Sequence, residues 1–421
     1  MSDSQIRSRS RLRWPAAIAC ALLLASCSES VKDDGAAKSE ADDKAPETTT
    51  LRGITDDSIK VGGVQYGVYF GDASVGVEAR IKKANDAGGV HGRQIEFVGA
   101  KENNNDATKD VDLVRSLVEQ DEVFALLPVL SGTFGAIDYI IENNIPTFGY
   151  GINPAFCENE VAFGITGCVT NPSLSVASNS LGTSLVEYFD GDTDKAIAMI
   201  AEDNDSGRGG LALLTASVED KGFKVVSAEP SLPAPPEQVG DVSPFVTALL
   251  SSNDGGAPDV IYLQATLIGT KLADALQSAG YKGTIISPSF SPLLLGAPGY
   301  DGILINTQFV MDPEVAANAE MLEAVHAIKP DQKMSLALSA GYWAADMFIK
   351  GLEETGKDLS VESFLKTMND GFTYGVEGVV GKSTWPDNND RPVPCGTLTE
   401  TKDGAFVPIQ GLVCGNNIEL D

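Results

Sequence analysis

Short apolar runs alternate along this chain with longer segments in which apolar residues return every three or four positions. The first such pair is 58–64 (SIKVGGV) and 72–87. Short runs of this kind predict strands, and the longer spacing predicts amphipathic helices. Asp72 stands where the N-cap of the helix is expected, and Gly88 and Gly89 mark its end. The patterned region therefore begins as a strand–helix unit.

The same alternation continues to residue 148, and a second run of the same kind starts at residue 196. Strands are predicted at 94–98, 123–129, 145–148, 196–201, 223–227, 259–263, 284–287 and 303–309, and helices at 106–120, 135–143, 207–221, 245–251, 269–279 and 336–355. Residues 378–413 are strand-rich. Alternating strands and helices predict doubly wound α/β lobes, and ligands of such sheets bind at the carboxyl ends of the strands. Two such runs predict two lobes with a binding cleft between them.

The first residues have the pattern of an export signal. Four arginines precede an apolar run, 16–25, that is too short to span a bilayer. The run ends in Leu24-Ala25-Ser26-Cys27, which resembles the bacterial lipobox. We therefore predict a signal peptide at 1–26 and a diacylglycerol-modified Cys27. Ordinary signal cleavage next to a chance cysteine is the alternative.

The segment that follows, 27–53, consists mostly of small, charged and polar residues. Such a segment cannot bury enough apolar surface to offset the entropy lost on ordering. We predict a flexible tether between the lipid and a folded body. No later run of about 18 apolar residues appears, so the body is expected to be soluble. The protein is thus expected to be exported and anchored by lipid to the outer face of the cytoplasmic membrane.

Charge excludes one class of partner. The chain has 30 Lys and Arg against 59 Asp and Glu, a net charge of −29. A surface this acidic repels phosphate backbones, so nucleic acid is not an expected partner. Its simplest interpretation is solubility. The 43% hydrophobic content is sufficient for a sizeable core.

The cysteines fit an exported protein. Of six, one lies in the predicted signal peptide and one is the predicted lipidation site, which leaves Cys157, Cys168, Cys395 and Cys414. Four thiols allow three pairings. Pairing of sequence neighbours, 157 with 168 and 395 with 414, is the simplest in an oxidising compartment. Metal binding is the alternative, but the chain has no Cys-x-x-Cys and only two histidines, so no metal is expected.

Catalytic motifs are missing from the sequence. It contains neither Gly-x-Ser-x-Gly nor His-Glu-x-x-His. Residues 381–384 (GKST) resemble the end of a phosphate-binding loop, but Val376 occupies the position of the first glycine. The glycine-rich segment 207–210 lacks dinucleotide-binding spacing. We therefore expect neither an enzyme nor a cofactor.

Two segments carry a resemblance to a known family: 54–62 (ITDDSIKVG) and 84–95 (ANDAGGVHGRQI). They resemble the branched-chain-amino-acid-type, leucine/isoleucine/valine-binding-protein-like substrate-binding lipoproteins of ABC transporters. The Gly-Gly-Val-x-Gly-Arg element in the second segment is fairly specific. Weaker similarity through 128–133, 201–209 and 338–356 extends the resemblance to about residues 54–410.

The resemblance implies a periplasmic-binding-protein type 1 fold, in which two doubly wound α/β lobes are joined by a three-strand hinge. The family's division into lobes, applied to this chain, gives lobe 1 as 54–172 plus 309–375 and lobe 2 as 173–308 plus 376–421. The implied function is that of an extracytoplasmic solute-binding lipoprotein of an ABC importer. It would be a monomer that captures a small organic solute by lobe closure and delivers it to a membrane permease. A sensor component that presents solute to a separate membrane receptor is the alternative.

The family pattern also implies cleft residues. Ser131, Gly132 and Thr133 match a loop that binds a ligand carboxylate, with help from free N–H groups at the start of helix 135–143. Simple helix capping by Ser131 or Thr133 is the alternative. The next loop contributes Tyr150, Gly151 and Ile152, and Ile152 lacks the hydroxyl that amino-acid binders have there. Ser206 and Ser289 stand where an aromatic residue and an acid are expected to meet an ammonium group.

Aromatic residues complete the predicted cleft. Tyr66, Tyr69 and Phe70 follow the first strand and could stack on a flat or apolar ligand, or pack into the core. The cleft-facing residues predicted after two later strands are Gln264, Thr266 and Phe290. A hydroxyl cannot neutralise a buried ammonium, so the pattern disfavours simple aliphatic α-amino acids. It favours an organic acid or amide with an apolar or aromatic part.

Overall fold

The computed structural model of the protein describes residues 50–420, except 171, 172, 174, 235, 236, 238 and 266. The predicted signal peptide, the predicted lipidation site Cys27, nearly all of the predicted tether and Thr266 lie outside the described residues. Within the described part, no helix is both long enough and apolar enough to cross a membrane.

The first sheet has five strands, all paired in parallel. They are β1 Ser58–Gln65, β2 Gln94–Glu102, β3 Ala125–Leu130, β4 Thr147–Gly149 and β5 Ala162–Gly164. Their order in the sheet is β2-β1-β3-β4-β5. Every residue of β3 is buried, as expected of a parallel strand that is covered on both faces.

The second sheet combines five parallel strands with an antiparallel edge. The parallel strands are β7 Ala196–Glu202, β8 Lys224–Leu232, β9 Val260–Gln264, β10 Thr284–Ser287 and β11 Leu304–Thr307, and the edge strands are β14 Cys395–Lys402, β15 Ala405–Pro408 and β16 Val413–Cys414. The order is β15-β14-β11-β10-β9-β7-β8, with β16 beside β14. Two small antiparallel pairs lie outside both sheets: β6 Val176–Ser178 with β17 Asn417–Glu419, and β12 Thr373–Val376 with β13 Val380–Thr384.

Helices connect these strands. They are α1 Gly67–Phe70, α2 Ala73–Asp86, α3 Asp110–Arg115, α4 Ile137–Glu142, α5 Ser180–Tyr188, α6 Asp205–Glu219, α7 Ser243–Leu250, α8 Leu267–Ser278, α9 Ala316–His326, α10 Leu336–Thr355 and α11 Val361–Asn369. The chain leaves the first sheet after β5, returns after β11 when α9 and α10 pack against α2, and rejoins the second sheet at β14. These three passages between the sheets are the crossovers of the expected type 1 fold.

Most predicted elements are present with shifted ends, and α10 has the predicted bounds. The predicted helix 106–120 is divided into a 3-10 turn, the short helix α3 and a π turn. Asp72 is the N-cap residue of α2, as predicted, but its side chain makes no capping hydrogen bond. Its carboxylate instead accepts a hydrogen bond from the Ser335 hydroxyl at 3.0 Å, which joins the start of α2 to the N-cap of α10.

Two glycines allow α2 and α10 to pack in direct backbone contact. A Cβ atom on Gly76 would lie 2.1 Å from the carbonyl oxygen of Leu338, and one on Gly341 would lie 2.2 Å from the carbonyl oxygen of Ala73. Neither space can hold a methyl group without moving a helix. The packing of the two helices therefore depends on the absence of side chains at these positions.

A partly buried ion pair fastens the same helices. Arg80 Nε of α2 lies 2.7 Å from Asp346 Oδ1 of α10, and the side chains are only 14% and 12% exposed. The other oxygen of Asp346 lies 3.2 Å from Lys350 Nζ and accepts a hydrogen bond from the Tyr374 hydroxyl at 3.2 Å. Burial, reinforced by the Asp346 charge, raises the pKa of Tyr374. The Asp346 carboxylate thus links α2, α10 and the β12–β13 hairpin.

Both predicted disulfides are present. Cys157 and Cys168 close a loop after β4, and Cys395 and Cys414 join β14 to β16 as directly paired residues. The hairpin enclosed by the second disulfide turns at 403–404. Sequence-local pairing is thus confirmed over the crossed alternatives.

Candidate functional site

A cleft lies between the carboxyl ends of the strands of the two sheets and holds a cavity of about 180 Å³. On the first-sheet side its wall includes Tyr66 after β1, Gly132 after β3 and Tyr150 after β4. On the second-sheet side it includes Glu202 at the end of β7 and Gln264 at the end of β9. Since both sheets point their carboxyl ends into one space, the cavity is where the fold is expected to bind a ligand.

The structure brings many of the residues predicted from the sequence to this cavity. Those on its wall are Tyr66, Tyr69, Phe70, Gly132, Tyr150, Ile152, Ser206, Gln264 and Ser289. They come from the ends of six different strands and the segments that follow, so no single sequence motif contains them. Their common feature is position, because each ends a parallel strand, follows its end or lies at the start of the next helix.

The structure places Ser131 and Thr133 off the cavity wall. The Ser131 side chain is fully buried, where its hydroxyl accepts from Asn103 Nδ2 at 3.0 Å and donates to Asn105 Oδ1 at 3.1 Å. The Thr133 hydroxyl donates to the Asn105 carbonyl at 3.3 Å. Neither side chain caps α4, which begins at Ile137 without a side-chain cap. Both hydroxyls therefore hold the loop itself.

The amide that the sequence offered to a ligand anion also has a protein partner. The backbone N–H of Gly135 donates to Asp110 Oδ2 at 2.9 Å. Asp110 is fully buried and also accepts from Asn103 Nδ2 at 3.0 Å. Burial raises the pKa of this carboxyl, and the two hydrogen bonds lower it in part. The protein's own carboxylate thus occupies the expected anion position.

Two other predicted residues lie beside the cavity without lining it. Gly151 has φ of +103°, and a Cβ atom there would lie 2.2 Å from the carbonyl oxygen of Gly167, so it serves the close approach of two loops. Phe290 stacks on Phe406 with ring centroids 3.7 Å apart and an angle of 15°. Its ring therefore packs within the second lobe instead of facing the cleft.

The aromatic side of the cavity is formed by the residues after β1. Tyr69 and Phe70 meet edge to face at 4.7 Å, and Phe70 also belongs to the main hydrophobic core. Burial raises the pKa of Tyr69 to about 12, with a smaller opposing effect from Ser289. Packing in or against the core is thus confirmed and the same rings line the cavity, while stacking on a ligand stays a prediction.

Two hydrogen bonds link opposite walls of the cavity. The Tyr150 hydroxyl, after β4, donates to Gln308 Oε1, after β11. The Ser206 hydroxyl of α6 donates to the carbonyl oxygen of Ile152 at 3.3 Å. Burial raises the pKa of Tyr150, so its hydroxyl stays protonated as a donor. These contacts hold the first-sheet loops against the second-sheet elements.

Glu202 is the main site residue that the sequence analysis missed. It is the last residue of β7, is only 5% exposed and lies on the cavity wall. Asn204 caps α6 through its Oδ1, and its Nδ2 lies 3.5 Å from Glu202 Oε2. Burial raises the pKa of Tyr66, and the Glu202 charge raises it further. An acid that ends an otherwise apolar strand was the available signal.

The charge of the cavity is one-sided. Its described lining residues include the carboxylate of Glu202 and no Lys, Arg or His. No group of three or more His, Cys, Asp or Glu suited to a metal ion occurs among residues that the structure describes. The cavity can therefore offer hydrogen bonds, apolar surface and one negative charge.

The described tryptophans lie away from this site. Trp343 is on α10 and is 5% exposed, whereas Trp385 is fully buried and meets Phe163 edge to face at 5.2 Å. Neither lines the cavity. The aromatic surface available to a ligand thus comes from tyrosine and phenylalanine.

Comparison with known proteins places the fold. A family model described as periplasmic binding protein matches residues 60–405. No curated protein sequence matches the chain. Among solved structures, a fatty acid ABC transporter substrate-binding protein from Thermomonospora curvata is similar, with 19% identity, a TM-score of 0.69, and coverage of 88% of this chain and 96% of that chain.

Two further solved structures show the same fold. A solute binding protein of an ABC transporter from Rhodopseudomonas palustris, in complex with 3,4-dihydroxybenzoic acid, has 16% identity, a TM-score of 0.64, and coverage of 87% of this chain and 98% of that chain. A leucine binding protein from Thermotoga maritima has 14% identity, a TM-score of 0.63, and coverage of 84% and 99%. At these identities the similarity concerns the fold.

Proposed function

The chain belongs to the periplasmic binding protein family, and from this premise we propose that it is the solute-binding component of an ABC importer. It captures a small organic solute outside the cytoplasmic membrane and delivers it to a permease. The observation that carries this proposal is the cavity at the carboxyl ends of both sheets, walled by residues from each.

The proposed solute is amino acid-like, a carboxylate or an amide, with an apolar or aromatic part. The aromatic residues Tyr66, Tyr69 and Phe70 and the second-lobe residue Leu181 supply apolar contact surface around the cavity. Two similar proteins are described with a fatty acid and with an aromatic acid, which fits a solute with an apolar body. The missing hydroxyl at Ile152 supports the exclusion of simple aliphatic α-amino acids.

Capture is proposed to occur by closure of two lobes, 54–172 plus 309–375 and 173–308 plus 376–421. Hinge closure around a ligand is general for this class of fold. The hydrogen bonds from Tyr150 to Gln308 and from Ser206 to Ile152 would stabilise the closed form. A ligand that contacts both walls favours closure by its greater affinity for that form.

Binding in the cavity can be tested with a blocking variant. Gly132→Leu should abolish solute binding, because a Cβ atom at Gly132 has only Asn105 Oδ1 at 3.4 Å as a near neighbour and the added side chain would occupy the cavity. The mature protein, purified from its own host, is examined by native mass spectrometry and then by thermal shift. A bound solute at 100 times its Kd should stabilise the wild type by about 2.7 kcal/mol.

The matched control for this test is Gly411→Leu. Gly411 is exposed, and a Cβ atom there would meet nothing within 4 Å. This variant should bind solute as the wild type does. Solute binding that is equally strong in Gly132→Leu would place the site elsewhere, and a host-purified protein that carries and binds no small molecule would refute the proposed function.

Membrane attachment through Cys27 is the second part of the proposal. Cys27→Ala should move the protein from the membrane fraction to the soluble or culture fraction, because the variant lacks the thiol to which the proposed lipid anchor is attached. Cys20→Ala, which alters a cysteine inside the proposed signal peptide, should leave the protein attached. A wild-type N-terminal peptide without acyl mass would contradict lipidation.

A further inference from the structure

The cavity extends beyond the cleft into the second lobe, along one face of α6. The α6 residues on its wall include Gly207, Gly210, Leu213, Leu214 and Ser217. Positions three or four apart share one face of a helix. The rise per residue makes this face about 15 Å long from first to last position. The space is therefore elongated, and its α6 side carries glycine and leucine with Ser217 at the last position.

Further apolar residues line this extension of the cavity into the second lobe. We call the extension the α6 arm. Leu213 is 7% exposed and Val393 is 4% exposed, yet neither belongs to a hydrophobic cluster of the core. Leu181 of α5 also lines this space. Buried apolar side chains that line a cavity outside the core gain full burial when an apolar ligand fills it.

Three hydroxyls on the cavity wall can bond a ligand only as hydrogen-bond acceptors. A hydroxyl has one proton to donate and two lone pairs. The Ser206 and Ser289 hydroxyls already donate to the carbonyl oxygens of Ile152 and Ala265, at 3.3 and 3.1 Å. The Tyr150 hydroxyl likewise donates to Gln308. Their lone pairs are left for a ligand that donates.

The charge of the cavity wall also favours a ligand that donates hydrogen bonds. The Glu202 carboxylate lies on the wall, and the described lining has no Lys, Arg or His. A ligand carboxylate would be buried near a like charge without a cation to offset it, which is unfavourable. A neutral or positively charged donor group meets no such penalty.

We infer that the ligand is an elongated amphiphile whose alkyl or similar apolar chain fills the α6 arm and whose head is an amide or amine that donates to Glu202 and the neighbouring oxygens. This inference rests on the proposed function and narrows its solute from carboxylate or amide to N–H donors with a chain.

The head is tested with probes of equal chain length. Isothermal titration of the mature protein with hexanamide, hexylamine and hexanoate should give at least tenfold tighter binding of the first two. In Glu202→Gln, which keeps the shape of the side chain, hexylamine should lose at least tenfold in affinity while hexanamide stays within about threefold. Hexanoate that binds as tightly as hexanamide in the wild type would overturn the head assignment.

The α6 arm is tested with alkyl amides of different chain length and with variants that narrow the arm. From butanamide to octanamide, affinity should rise about fourfold for each buried methylene. Gly210→Ala should weaken octanamide at least tenfold and butanamide little, because its Cβ atom enters the cavity 3.2 Å from Gln264 Nε2. Alanine is also a better helix former than glycine, so folding is not impaired. Leu213→Phe should act in the same direction.

Gly209→Ala is the control, because Gly209 is on the same helix but off the cavity wall. It should leave every probe unchanged. Affinity that does not depend on chain length, or equal effects at 209 and 210, would overturn the α6 arm. If none of the probes binds, the solute found in host-purified protein decides: one without an N–H donor or an apolar chain refutes this inference and leaves the proposed function standing. Absence of any solute refutes both.

Discussion

Gly341→Ala is expected to lower the free energy of unfolding by about 3 kcal/mol. The added methyl group would lie 2.2 Å from the carbonyl oxygen of Ala73. This neighbour is helix backbone, so α2 and α10 must move apart and open the core between them. The gain in helix propensity, up to about 1 kcal/mol, offsets only part of this loss. Urea denaturation measured by circular dichroism gives the difference.

The matched control is Gly351→Ala on the same helix. A Cβ atom there would meet Met368 Sδ at 2.6 Å and the Phe364 ring at 3.1 Å. Methionine is flexible and can shift, so the loss should be below about 1 kcal/mol. Equal midpoints for the two variants would show that the close backbone approach is not what constrains α10.

The same substitution should also reach the cavity. The aromatic loop 66–70 directly precedes α2, and Leu336 at the start of α10 lies on the cavity wall. Separation of the two helices would therefore displace two parts of the wall at once. Gly341→Ala should weaken solute binding even below its unfolding transition, whereas Gly351→Ala should not.

Removal of Arg80 is the second large effect. Arg80→Met should lower the free energy of unfolding by about 3 kcal/mol, because it leaves Asp346 partly buried without its 2.7 Å partner. Lys350 remains at 3.2 Å, but its side chain is 40% exposed and compensates weakly. The loss is measured by urea denaturation near neutral pH.

Two further variants separate the charge from the packing. The double variant Arg80→Met/Asp346→Leu should recover most of the loss, because no buried charge is then unpaired. Lys83→Met removes an exposed ion pair from the same helix, with Glu320 at 3.3 Å, and should change stability by less than about 1 kcal/mol. A double variant that is no more stable than Arg80→Met would assign the effect to lost side-chain packing.

The alternation of apolar runs was sufficient to predict two α/β lobes, because parallel strands such as β3 are buried on both faces and α10 carries a long, continuous apolar pattern. The type 1 fold with its three crossovers was predicted from the family resemblance. Short elements escaped this test. β5 and β6 have three residues each, too few to show a period. Helix α11 begins with a capping box in which Ser363, rather than glutamate or glutamine, occupies the third position, so its start lacked the usual signature.

The sequence predicted the location of the site better than it predicted which side chains line it. Positions after strands were found correctly, since topology alone brings them together. The direction of the side chains was not predicted correctly. The Ser131 hydroxyl turns into the loop and donates to Asn105, and no local sequence pattern encodes that partner. The α6 arm was missed for the same reason. In the sequence its glycines and leucines look like an ordinary helix face, and only the fold shows that they line one cavity together with Leu181 and Val393.

The location of Trp343 and Trp385 determines which spectroscopic method can detect ligand binding to this protein. Trp343 and Trp385 are shielded from water and away from the cavity, while Tyr66, Tyr69, Tyr150 and Tyr262 surround it. Indole emission should therefore keep its wavelength as a ligand enters, and the ultraviolet difference spectrum of the phenols should change. A fluorescence titration of the natural protein would therefore show no change in emission wavelength even when a ligand binds. An indole side chain introduced near the cleft would make binding visible by fluorescence, with Trp343 and Trp385, which lie away from the cavity, as an internal standard.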